Sequence, residues 1–157
     1  MSCNSVIFLD LDGVLNSHRY LYVTPKPWDG MEYEGNEHLQ LDPVAIDRLN
    51  QIIEATQAVV VVSSSWRHGH SRERLQEMLE ARGFTGEVID VTPDDSRLDR
   101  GDEIALWLAD HPDVERYVVL DDDADDTVVM KKHLVKTSFH TGLLDCHVSE
   151  AVRRLTA

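Results

Sequence analysis

A chain of 157 residues, 42% apolar and 28% charged, has the size and balance of one soluble globular domain; two full domains would be a squeeze. No apolar run reaches the ~18 residues of a membrane span, and MSCNSVIFLD has neither the basic start nor the cleavage site of a signal peptide. A net charge of −14, from 15 basic and 29 acidic residues, argues against tight non-specific binding of nucleic acid, because such a surface repels a polyanion.

Taken in chain order, residues 5–11 form a short apolar, β-branched run closed by Asp-Gly, the pattern of a buried strand. Residues 16–42 are polar and aromatic, with Pro25, Pro27, Gly30 and Gly35, and are expected to form a long loop or small flap. Asp42-Pro43 starts a helix, with Asp42 as N-cap and an apolar face of Val44, Ile46, Leu49, Ile52 and Ile53. Ala58 to Val62 is a second strand, ended by three serines. A helix capped by Ser71 follows, with a Leu75, Met78, Leu79 stripe and Gly83 as its stop. Glu87 to Val91 is a third strand. A helix over 102–110 packs through Ile104, Ala105, Leu108 and Ala109. Arg116 to Leu120 is a fourth strand, closed by DDDADD. Leu134 to Phe139 is a fifth, and Asp145 to Leu155 the last helix. Strands that alternate with helices and read as unbroken apolar runs imply a parallel sheet covered on both faces. No repeat or second domain is visible, so 1–157 reads as one domain. Cys3 and Cys146 make no disulfide framework or metal cluster, and a cytoplasmic location is expected.

Ligands of open α/β sheets bind at the carboxyl ends of the strands. Here the first strand ends in Asp10, Asp12 and Gly13, the second in Ser63, Ser64 and Ser65, and the fourth in Asp121, Asp122 and Asp123, with Asp125 and Asp126 beyond. Crowding carboxylates is unfavourable unless a cation compensates them, and Mg²⁺ prefers oxygen ligands of this kind. With such an ion, one carboxylate of Asp10 and Asp12 can attack phosphorus and the other can shuttle a proton. Gly13 permits the bend that brings them over a ligand.

VIFLDLDGVLNS resembles the first motif of the haloacid dehalogenase (HAD) superfamily, VVVVSSSWR its second, and VVLDDDADD its fourth. The third, a basic residue before a helix, is matched by Arg100 in RGDEI, with Arg97 as the other candidate. SSSWR, RGDEI and FHTGL are similar to a cap-poor subfamily that includes HAD domains of RNA-repair proteins. The resemblance implies a Rossmann-like three-layer α/β sandwich with a mainly parallel five-stranded sheet and a minimal cap. It implies Asp10 as nucleophile, Asp12 as general acid/base with its backbone carbonyl on the metal, and Ser63 and Arg100 on the transferring phosphoryl group. It also implies Asp122 as an Mg²⁺ ligand supported by Asp121 or Asp126. Ser64 is one register away from Ser63 and stays open as the phosphate contact. Gly13 and Arg67 are further substrate-side candidates.

Blander readings accompany these. An acidic turn after a strand is common. DDDADD can be a solvated loop or a helix start, and it lacks the Gly and Glu of a calcium loop. Trp66-Arg67 can be structural, with the ring packed under the flap, and His68 and His70 are expected as loop residues. Trp28 and Tyr33 can stack on a base or cover the site. The expected function is an Mg²⁺-dependent phosphomonoester phosphatase acting through an aspartyl phosphate on a small molecule or a polynucleotide end. The alternatives are a polynucleotide-end phosphatase in repair and a non-catalytic phosphate- or partner-binding module.

Overall fold

SVIFL forms the central strand because its side chains are apolar on both faces. A computed structural model describes residues 4–30, 35–123 and 128–157. It contains strands β1 (Ser5–Leu9), β2 (Val59–Val62), β3 (Val88–Val91), β4 (Arg116–Asp121) and β5 (Leu134–Lys136), ordered β3-β2-β1-β4-β5, with all four pairings parallel. The helices are α1 (Pro43–Thr56), α2 (Arg72–Glu80), α3 (Arg100–Ala109), α4 (Val128–Lys131) and α5 (Asp145–Thr156). Ile7, Leu9, Val60, Val62, Val118 and Leu120 pack on one side of the sheet with Ile46, Leu49, Ile52, Leu75, Leu79 and Leu155 from α1, α2 and α5. Val6, Phe8, Val61 and Val119 pack on the other with Ile104, Trp107 and Met130. The Phe8 ring meets Trp107 and Tyr117 edge-to-face at 5.4 and 5.6 Å. This is the expected Rossmann-like α/β sandwich, with a sheet that is wholly parallel. No helix among the described residues is long and apolar enough to cross a membrane.

Local chemistry explains most boundaries. Asp42 accepts the Val44 N–H at 2.9 Å with Pro43 in the first turn, and Ser71 accepts the Arg74 N–H at 3.1 Å. The helix faces need two corrections. Val44 is 56% exposed, because α1 turns Ala45, Ile46, Leu49 and Ile52 inward instead. On α3, Ala109 is exposed and Trp107 takes the core, since its ring fills the space beside Phe8. α4 was not foreseen, and the fifth strand stops at Lys136, where the chain turns through a Ser138–Gly142 bridge.

The described part of 16–42 is more structured than a loop. It holds a π-helical turn, Arg19–Val23, and a 3₁₀ turn, Glu37–Gln40. The Lys26 ammonium donates to the carbonyls of Tyr20 (2.6 Å), Leu21 (3.3 Å) and Thr24 (2.9 Å), satisfying groups that a helix end leaves orphaned. Tyr20 is buried, donates to Leu39 O and accepts from Arg82. Cys3, Tyr33, Asp125 and Asp126 lie outside the described residues.

Candidate active site

The parallel ladder continues one residue beyond the strands. Asp10 N donates to Leu120 O (3.0 Å), Ser63 N to Leu9 O (2.8 Å) and Thr137 N to Asp121 O (3.0 Å). Alternate residues of a strand share a face. Phe8, Val61 and Val119 face α3, so Asp10, Ser63 and Asp121, two residues on, present their side chains to the first turn of that helix. Arg100 begins α3, and its Nη1 lies 3.1 Å from Asp10 Oδ2 and 2.7 Å from Asp121 Oδ2. Arg97 instead pairs with Asp95 at 2.8 Å on the surface, its side chain 85% exposed. Of the two arginines, Arg100 is the one that reaches Asp10.

Asp10, Asp121 and Asp122 each bring a carboxylate oxygen within 4.8 Å of the others. Asp10 is 6% exposed. Burial first, then the Asp121 carboxylate, push its pKa from 3.8 to about 8, against the pull of Arg100; Asp122 adds to the rise, and a Ser64 hydrogen bond opposes it. Asp122 is raised as well, by burial and then by Asp121. An all-oxygen donor set carrying this much repulsion fits a hard divalent cation, which would relieve it.

Gly13 ties the first motif to the fourth. Its φ is +82°, and a Cβ there would stand 2.3 Å from Asp122 Oδ2. Only glycine accepts both the left-handed backbone and the approach of that carboxylate. Thr137 Oγ1 donates to Gly13 O at 2.7 Å, so the residue that follows β5 also braces this turn.

Asp12 stands apart from the carboxylate cluster. The strand ends at Leu9, the chain turns with Val14 N on Leu11 O, and the exposed Asp12 side chain meets Asn16 and Trp66. Its side chain therefore does not join the three clustered carboxylates. It lines a cleft of about 300 Å³ with Glu37, Gln40, Ser65, Trp66, Gly69 and His70.

The two serines behave differently. Ser63 is 1% exposed, and its hydroxyl is one of the buried polar atoms with no partner among the described residues. A buried hydroxyl without a partner is unfavourable, which suits a group waiting for a ligand. Ser64 accepts the Trp66 N–H at 3.3 Å, and its hydroxyl acts on Asp10 only as the smallest of the influences that lower that carboxyl's pKa.

A scan against protein-family models matches residues 6–148 to the HAD domain in Swiss Army Knife RNA repair proteins. This chain belongs to that family. No curated protein and no solved structure matches it.

Within this HAD domain, Arg67 does not present a free guanidinium. It donates to Ser64 O at 2.8 Å and pairs with Glu103 at 2.8 Å, with both side chains almost wholly buried. The pair joins the serine turn to α3, one turn beyond Arg100. His68 meets Asp94 at 2.6 Å, and His70 Nδ1 meets Trp66 O at 2.9 Å, so neither forms a metal pair with the other. Asn16, Glu103 and Thr137 escaped the sequence reading, and Trp66 entered it only as packing. Nothing local marks them, because each acts through a partner brought near by the fold.

Proposed function

We propose that this HAD domain is an Mg²⁺-dependent phosphatase that hydrolyses a phosphomonoester through an aspartyl phosphate on Asp10. The superfamily carries phosphatase-type chemistry, and the observation supporting the finer reading is Asp10 itself, buried against Arg100 beside a Ser63 hydroxyl that has no partner among the described residues. In the first step an Asp10 oxygen attacks phosphorus, the ester P–O bond breaks, and Asp12 gives a proton to the departing alkoxide. In the second, water attacks phosphorus, Asp12 takes its proton, and the Asp10–phosphorus bond breaks to release phosphate. Arg100 and the Ser63 hydroxyl hold the equatorial oxygens, placing fixed charge and a donor where negative charge spreads in the transition state. Asp10 and Asp122, with Asp121 behind them, would hold Mg²⁺, which would supply further charge stabilisation at the phosphoryl group.

The substrate reading rests on the family. RNA repair in the family description favours a phosphorylated polynucleotide end over a free sugar phosphate. The charge of −14 then favours capture of one end aided by a partner, rather than broad adhesion to the strand. The test is phosphate release from p-nitrophenyl phosphate with Mg²⁺, followed by a panel of 3′- and 5′-phosphorylated oligonucleotides, nucleotides and sugar phosphates. Asp10→Asn is expected to abolish release while far-UV circular dichroism stays unchanged. Full activity in that variant would remove the nucleophile assignment, and a preference for sugar phosphates would remove the repair substrate.

A further inference from the structure

We propose that Trp66, with Asn16, is a positioning residue that pins one oxygen of Asp12 and leaves the other to meet the leaving group. The proposal deepens the phosphatase reading and rests on it for the proton-transfer role. Asn16 Nδ2 donates to Asp12 Oδ1 at 2.9 Å, and Trp66 Nε1 donates to the same oxygen at 3.1 Å. Asn16 is 2% exposed, and its Oδ1 accepts the Gly13 N–H at 3.0 Å. That contact fixes the amide orientation, because an N–H needs the amide oxygen as its acceptor, and the NH₂ is thereby turned to Asp12.

The indole is held as firmly. Trp66 sits in the 3₁₀ turn Ser65–His68, its backbone N–H on Ser64 Oγ and its ring against the main core. The His70 ring stacks on it at 5.8 Å and 29°. His70 Nδ1 donates to Trp66 O, since a carbonyl only accepts, so the imidazole braces the tryptophan through both ring and backbone. An indole N–H is a donor only. Trp66 orients the carboxylate and takes no proton itself.

Asp12 is exposed, and an exposed carboxylate is otherwise free to rotate about its side-chain bonds. Two donors on Oδ1 remove that freedom and leave Oδ2 for the proton exchanged with the ester oxygen or water. Asp12, Trp66 and His70 share the cleft of about 300 Å³, which places the departing alcohol against the aromatic pair.

The experiment has two arms. The first uses ¹⁵N-labelled, metal-free protein and follows the Trp66 indole N–H, with Trp28 and Trp107 as internal references. Asp12→Ala leaves Trp66 in place and is expected to shift its signal and speed its exchange with solvent. An unmoved Trp66 signal overturns the proposal whatever the activity. The second arm compares kcat/KM of Trp66→Phe with the parent on 2,4-dinitrophenyl phosphate and on glycerol 2-phosphate. The first leaving group needs no proton and the second does. The variant is expected to lose about tenfold or more on glycerol phosphate and less than about twofold on the dinitrophenyl ester, a fraction of what general acid catalysis supplies. Equal losses on both mean a merely structural tryptophan and overturn the proposal. A parent chain that hydrolyses neither ester removes the phosphatase reading and the proton-transfer role together, while the indole signal still decides the contact separately.

Discussion

Replacing Arg67 by methionine removes half of an ion pair whose side chains are 6% and 7% exposed. Glu103 would keep the Asp95 N–H at 3.2 Å but lose the guanidinium at 2.8 Å, and Ser64 O would keep the backbone N–H of residue 67 at 3.1 Å but lose the guanidinium donor. Breaking one side of a buried pair costs about 3–5 kcal/mol, because a charge is left buried without compensation. That is a large part of the ~5–15 kcal/mol that holds a domain folded. Removing both charges, as Arg67→Met with Glu103→Leu, leaves no orphaned ion, so the double variant is expected to recover most of the loss. Urea unfolding followed by far-UV circular dichroism measures this. With a slope of about 2 kcal/mol per molar, the midpoint of Arg67→Met should fall by roughly 1.5–2.5 M. A midpoint within about 0.5 M of the parent would refute the reasoning, as would a double variant no more stable than the single one. The pair also joins the turn carrying Ser63 to the helix carrying Arg100. Arg67→Met should therefore weaken inorganic phosphate binding in calorimetry even at temperatures where it remains folded.

Two further outcomes follow from the carboxylate cluster. Gly13→Ala combines a left-handed backbone, unfavourable by about 1–2 kcal/mol, with a Cβ 2.3 Å from Asp122 Oδ2. Stability should fall modestly and Mg²⁺ affinity sharply in a calorimetric titration; unchanged Mg²⁺ binding would show that Asp122 is not needed. The second concerns pH. The pKa of Asp10 is pushed up to about 8 in the folded, metal-free chain against 3.8 as its ordinary value, so the folded state holds an extra proton between them. The contribution of this group to metal-free stability is therefore greatest below about pH 4 and is lost as pH rises to about 8. A cation must displace that proton, so Mg²⁺ should raise the melting temperature more at about pH 8.5 than at about pH 6. Melts in EDTA and in Mg²⁺ at both values test this, and an equal rise would contradict the cluster as the binding site.

Much of the architecture was legible because it depends on local pattern. Apolar strands such as Val59–Val62 read as buried on both faces, and Asp42 and Ser71 announce helix starts through their own side chains. Errors arose where a face was chosen by neighbours. Period alone put Val44 inward and left Trp107 out, whereas α3 settled on the aromatic beside Phe8. The stretch 16–42 read only as a long loop or small flap because the order of its described part comes from contacts such as Lys26 on three carbonyls and Arg82 on the Tyr20 hydroxyl.

The same division runs through the site. The sequence by itself determined that Asp10, Ser63 and Asp121–Asp122 stand at strand ends, since each directly follows or closes an apolar run, and parallel strands carry those ends to one rim. Tertiary structure alone decided that Arg100 and not Arg97 reaches Asp10, that Arg67 is spent on Glu103, and that Asp12 is turned toward Asn16 and Trp66. Those pairings join residues up to 90 positions apart in the chain, as Arg100 and Asp10 are, and distances of a few ångströms decide them. Neither periodicity nor spacing encodes such distances; packing does.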